Sequence, residues 1–305
     1  MGSGAFFNPK TNSMNKLKLS AVIMPEVQGD EQFFARKARN NDFDGLMDPI
    51  IGFDHFELTH DIFGPHPHAG MSAISYVFEK SASYHSIDSR GNNVIITPGS
   101  LLWTYAGKGI VHSEFPVPDG AAVEGLQLFV NIPASQKQQD PKSIFIDKLQ
   151  IPEIKQEGVR VRVVCGGSGT TLNKTVTPDE LTILHVFLEA GKEFSHQIPA
   201  QWSGTVLAVE GYFDFMTNQS TTQLEEGMVI AMGESDFEET IKFIAITNSE
   251  LLFISGKPLH EPLFSKGALV MDSEEALANA TENFKNGKMG FIERKGENRK
   301  VIKPV

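Results

Sequence analysis

Thiols are almost missing from this chain: 305 residues contain one cysteine, Cys165. A single cysteine excludes an internal disulfide framework and a thiolate zinc site. It fits a reducing compartment, so a cytoplasmic protein is expected. Basic residues are also short. Lys and Arg number 27 against 38 Asp and Glu, a formal net charge of −11. That balance argues against direct contact with nucleic acid, whose phosphates call for a basic surface. No apolar run nears the roughly 18 residues of a membrane span, so no membrane partner is expected. The start, Met1-Gly2-Ser3-Gly4-Ala5-Phe6-Phe7, lacks the basic head and apolar core of a secretion signal. Phe6 stands where a myristoylated chain carries Ser or Thr. Met1–Gly4 is the kind of run that cloning leaves behind, and 1–15 reads as a flexible lead.

What is present is a rhythm of short strands. Leu17, Leu19, Ala21 and Ile23 alternate with their neighbours and predict a strand. Ile74–Phe78, Asn93–Thr97 and Gly109–Glu114 follow. Leu126, Leu128, Val130 and Ile132 alternate with Gln127, Phe129 and Asn131, which predicts one buried face. Turn residues part the strands: Gly64-Pro65, Arg90-Gly91-Asn92, Pro98-Gly99 and Pro118-Asp119-Gly120. The polar stretch Ala134–Pro141 reads as a connection. The strand rhythm then resumes over Val159–Val164, Leu181–Leu188, Thr205–Glu210, Tyr212–Met216, Met228–Met232, Phe243–Thr247 and Leu251–Ser255. Two β domains of similar size are expected, each a sandwich or barrel. Near the end, Asp272 and Glu275 have the spacing of a capping box, and Leu277, Ala280 and Phe284 recur at helical spacing. Gly287 suits the helix stop. The basic tail Arg294–Lys303 reads as frayed.

Six of the nine histidines lie between 55 and 112. His66-Pro67-His68 sets two imidazoles two residues apart. His112-Ser113-Glu114 sets an imidazole and a carboxylate two apart. On an extended strand, i and i+2 share a face. Each pair can therefore offer two ligands to one interior. Three imidazoles with one carboxylate suit a divalent first-row metal and leave positions open for substrate. Calcium would want oxygens. An isolated His-X-His in a loop is more often a solvated turn, so the weight falls on both pairs sharing one domain.

The runs Phe63-Gly64-Pro65-His66-Pro67-His68-Ala69-Gly70 and Trp103-Thr104-Tyr105-Ala106-Gly107-Lys108-Gly109-Ile110-Val111-His112-Ser113-Glu114 resemble the pirin family of bicupins. Pro98-Gly99, the strand Val123–Pro133 and Gly256-Lys257-Pro258-Leu259-His260-Glu261-Pro262 resemble it too. The resemblance spans roughly residues 16 to 290. It implies an all-β bicupin: two face-to-face cupin β-barrels, each a double-stranded β-helix, with a C-terminal helix. The divisions expected are 16–140 for a metal-binding N-terminal barrel, 141–262 for a metal-free C-terminal barrel, and 263–305 for helix and tail. It implies metal ligands at His66, His68, His112 and Glu114, with Fe(II) the usual metal. Ni, Co, Cu, Mn and Zn satisfy the same donors.

The resemblance implies a quercetin 2,3-dioxygenase-type oxidoreductase acting on a flavonol-like aromatic and dioxygen, with Glu114 as the catalytic base. The rival it implies is a non-catalytic, iron-dependent regulator acting through protein partners. A cupin isomerase or sugar binder is a third reading, and no phosphate-binding cluster supports it. Phe63, Met71, Trp103, Tyr105 and Phe115 are the expected pocket walls, each with barrel core as the plainer role. Ala69-Gly70-Met71-Ser72 departs from the family's Arg-Gly-Phe-Glu and puts roles of that Arg and Glu in doubt. His85 reads as a turn residue, and His55 and His60 as surface or local hydrogen-bonding groups. His185 alternates with Ile183 and Phe187 and reads as a satisfied core histidine. His196 lacks a partner pair, and Cys165 reads as packing.

Overall fold

The computed structural model describes residues 16–295 and 298–304. The proposed remnant Met1–Gly4 and lead 1–15 lie outside the described residues. Alternating apolar and polar residues with frequent turns yield antiparallel strands, and these build two similar units. The first pairs a seven-stranded sheet with a four-stranded one. The large sheet runs Val27–Gly29, Phe33–Arg39, Ile50–Leu58, Val123–Asn131, Met71–Val77, Leu101–Tyr105, Lys142–Ile146. The small sheet runs His66–His68, Ile110–Val117, Ser83–Asp88, Asn93–Ile96.

The second unit repeats the plan. Its six-stranded sheet centres on Leu181–Leu188, Ser249–Gly256 and Ser203–Glu210. Its four-stranded sheet holds Glu193–Ile198, Glu239–Ala245, Tyr212–Met216 and Thr221–Glu225. The two large sheets pack face to face. Ile74, Leu126 and Leu128 of the first share one buried cluster with Ile183, Leu207 and Leu252 of the second. Each unit also has its own interior. That of the second is filled by Phe213, Phe215, Phe243 and Phe253.

Several local expectations change. Leu17–Ile23 forms isolated bridges, Leu19 to Met232 and Ile23 to Val229, so this stretch borders the second unit rather than forming a strand of the first. Its backbone bonds the edge strand Val229–Met232 and Gly233 just beyond it, and among the described residues it pairs with no second strand. Lys142–Ile146 pairs with Leu101–Tyr105 and so extends the first unit's sheet past residue 140. The helix Glu274–Lys285 is capped by Ser273, whose hydroxyl accepts from the Ala276 amide, and not by Asp272. The tail is not frayed: Phe291–Lys295 pairs antiparallel with Asn298–Ile302.

This C-terminal segment returns to the first unit. Met289, Ile292, Leu269 and Ala280 share a buried cluster with Ala69, Ile87 and Val111. Two glycines make room for it. Gly70 has φ +70°, and a Cβ there would collide with the Val270 carbonyl. Gly109 has φ +135°, and a Cβ there would collide with Met289. Only glycine meets both demands at low cost.

Candidate metal centre

His66 and His112 are directly opposite each other on neighbouring antiparallel strands. Side chains of a facing pair share one side of the sheet, so the two rings meet. His68 lies on the same face two residues further on. The His112 Nε2 atom is 2.9 Å from His68 Nε2 and 3.0 Å from His66 Nε2. Three nitrogens thus converge, all within 4.8 Å of one another.

Burial keeps the rings neutral. It lowers His66 to about 4, aided by repulsion from His112. It lowers His112 to about 4, and it lowers His68 with help from both neighbours. The Gly64 carbonyl can only accept, so His66 Nδ1 is the donor across their 3.0 Å contact. His66 Nε2 is then a bare lone pair aimed at the trio. Ring nitrogens about 3 Å apart have the spacing of adjacent ligands on a first-row ion, with bonds of ~2.1 Å. The donors fit a divalent metal.

Glu114 stands apart from the trio. Its Oε1 lies 3.9 Å from His112 Nδ1. Ser75 Oγ donates to it at 2.9 and 3.0 Å. Burial raises the Glu114 pKa, opposed by the bonds from Ser75 and Ser86 and by His66. Ser86 faces Glu114 across the sheet. Both serines went unnoticed in the sequence, because a lone Ser in an apolar run carries no motif.

A cavity of about 230 Å³ opens beside the trio. Phe33, Phe56, Phe63, Tyr84 and Phe129 wall it, with Glu114 and Gln127. Of the five expected walls only Phe63 lines it. Met71 packs with Ala73 and Val270, and Trp103 lies in the core between the units. The Tyr105 hydroxyl donates to the Gln136 carbonyl. Phe115 alternates away from His112 and Glu114, towards His85 and Arg299. Of the missed walls, Phe129 sits on the strand face opposite Leu126 and Leu128, while Phe56 and Tyr84 cluster with Leu58 and Leu102. Phe129 stacks near His68, with ring centroids 6.1 Å apart.

The departures from the family pattern point elsewhere. Ala69 bridges Leu269, and Ser72 Oγ donates to Asp179 of the second unit at 2.5 Å. His55 is buried rather than on the surface, and its Nε2 meets Glu124 Oε1 at 3.0 Å. His60 Nδ1 bonds Thr59, and His85 Nε2 bonds Asn93 at 2.5 Å. His185 is a satisfied core histidine as expected. It bonds Tyr76 at 3.0 Å and Glu250 at 2.9 Å. His196 is buried and bonds Ser168 through Nδ1. Cys165 donates to the Leu181 carbonyl, and burial pushes its thiol up to about 11, which is inert packing.

The comparisons agree with this picture. Residues 33–130 match the Pirin family model, and 183–290 match the Pirin C-terminal cupin domain. A pirin-like protein of Caulobacter vibrioides is 30% identical over 251 residues, covering 80% of this chain and 88% of that protein. Human pirin is 29% identical over 280 residues, covering 92% and 95%. A quercetin 2,3-dioxygenase structure from Acinetobacter baumannii superposes with TM-score 0.77 at 22% identity, covering 90% of this chain and 97% of that one. A bacterial pirin from Escherichia coli in complex with nickel(II) gives 0.61 at 18% identity, covering 80% and 100%. The fold is a bicupin. No helix among the described residues is long and apolar enough to cross a membrane.

Proposed function

The chain belongs to the pirin family, and from that premise we propose that it is a metal-dependent dioxygenase that opens the ring of a quercetin-like flavonol. The observation that carries the reading is the convergence of three neutral imidazole nitrogens beside an aromatic-walled cavity. His66, His68 and His112 hold the metal. Glu114 would complete the donor set beside them, its carboxylate held by Ser75 and Ser86. Fe(II) is the proposed ion, and the same donors accept nickel, cobalt, copper, manganese or zinc. When bound, the metal supplies Lewis acidity to a substrate oxygen.

The remaining steps belong to this chain's own residues. Phe56 and Phe129 offer flat apolar walls to an aromatic ring and exclude water. Glu114 takes the proton of the ring hydroxyl. Its raised pKa brings it nearer the operating pH, where a general base works best. Ser75 and Ser86 hold its carboxylate oriented until then. The deprotonated ring is electron-rich and reacts with dioxygen.

The test is oxygen consumption with quercetin by protein carrying one metal per chain. Turnover lost in Glu114→Gln with metal retained, and in His66→Ala with metal lost, supports the reading. A wild-type protein with full metal and no turnover overturns it.

A further inference from the structure

One polar group in the cavity has no part in the proposed chemistry. Gln127 lies on the strand Val123–Asn131, on the face it shares with Phe129. Its Oε1 lies 3.1 Å from Ser75 Oγ, whose single proton is shared between Glu114 and Gln127. Its Nε2 is buried and has no hydrogen-bond partner among the described residues. The residue lines the same cavity as Glu114, His66 and His68. A buried amide N–H without an acceptor costs ~1–3 kcal/mol. A ligand oxygen in the cavity would remove that cost.

We infer that Gln127 Nε2 is the donor to the ring carbonyl oxygen of the substrate, and that it sets which edge of the ring faces the histidines. The inference rests on the dioxygenase reading above and adds a residue to it. When the ring hydroxyl gives its proton to the Glu114 carboxylate, the O–H electron pair stays with the ring. Part of that negative charge spreads onto the conjugated carbonyl oxygen. A hydrogen bond to a charged oxygen is roughly twice as strong as one to a neutral oxygen. Gln127 therefore holds the deprotonated ring more tightly than the neutral one, and that difference favours the proton transfer. The carboxamide has no charge, so it adds no competing base. Ser75 bonds both Glu114 and Gln127, and so ties the base and the donor into one frame.

The experiment compares wild type with Gln127→Leu and Gln127→Glu, all as the full chain loaded with metal. Metal per chain and melting temperature are measured first. Quercetin is then titrated without oxygen, and the visible red shift of the deprotonated flavonol is followed. Turnover under oxygen gives kcat and KM separately. The expected leucine variant keeps its metal, loses ~10–100-fold in kcat/KM and gives a weaker red shift. The glutamate variant loses more, because its carboxylate repels the same oxygen. If leucine lowers the melting temperature, Gln127→Met repeats the test with a longer, more adaptable side chain. Wild-type affinity, red shift and turnover in a donor-free variant overturn the Gln127 assignment alone. Metal-loaded wild type that neither binds nor turns over quercetin overturns the dioxygenase reading, and the assignment with it.

Discussion

Asp179→Asn is expected to stabilise the protein at pH 8 and to change little at pH 4. Asp179 reaches from the second unit to the first. One carboxylate oxygen accepts from Ser72 Oγ at 2.5 Å and from Trp103 Nε1 at 3.2 Å. Burial outweighs those two bonds and lifts the carboxyl from 3.8 to about 6. A carboxyl raised on folding binds its proton more tightly in the folded chain. Its contribution is complete below the unfolded value near 3.8 and is lost as pH climbs through about 6. At pH 8 the folded state holds a charge that the unfolded chain solvates better. The interval from 3.8 to about 6 corresponds to ~3 kcal/mol. Partial solvent contact trims this to ~2 kcal/mol. Asparagine accepts the same two bonds and carries no charge. At ~2–4 °C per kcal/mol for a large domain, the melting temperature rises about 4–8 °C at pH 8. The gain shrinks to near zero at pH 4. Thermal unfolding of both proteins from pH 4 to pH 8 measures it. A variant less stable than wild type at pH 8, or an equal gain at both ends, would refute the reasoning.

Other outcomes follow from the same structure. Tyr76→Phe strips a buried hydroxyl that bonds Arg162 at 2.7 Å and His185 at 3.0 Å. With a charged donor left unpaired, the loss is expected near 2–4 kcal/mol by chemical denaturation, with metal content unchanged. Ser273→Ala removes the helix cap and should cost about 1 kcal/mol, whereas Asp272→Ala should cost almost nothing. A melting-temperature comparison of the two decides between the caps. Adding Ni(II) to chelator-stripped protein at ~100 times its Kd should raise stability by ~2.7 kcal/mol, and His112→Ala should abolish the rise.

The candidate site was legible because its chemistry is written in short spacings. His66-Pro67-His68 and His112-Ser113-Glu114 need only an extended backbone to share a face, and the register does the rest. The cavity walls were harder. Leu126, Leu128 and Val130 announce a buried face, and that face packs against the second unit. Gln127 and Phe129, on the quieter face, turn to the cavity. A strand buried on both sides gives no periodic signal for the side that matters. The C-terminal hairpin was illegible for a related reason. Arg294 and Arg299 look like a solvated basic run until Asp61 is placed beside them. That pairing spans more of the chain than any local pattern can encode.

Asp61 sits in the loop that leads to His66, and both arginines bind it. The segment that braces the histidine strand is therefore translated roughly 180 residues after His112. A ribosome-bound chain can pair its histidine strands early, yet the Gly70 and Gly109 notches then stand open to solvent. The late segment fills both notches when it docks, with Val270 against Gly70 and Met289 against Gly109. Packing around the histidine strands is thus complete only once the stretch carrying Met289 and Ile292 has been made. A nascent chain stalled before residue 264 is expected to retain less metal than the finished one.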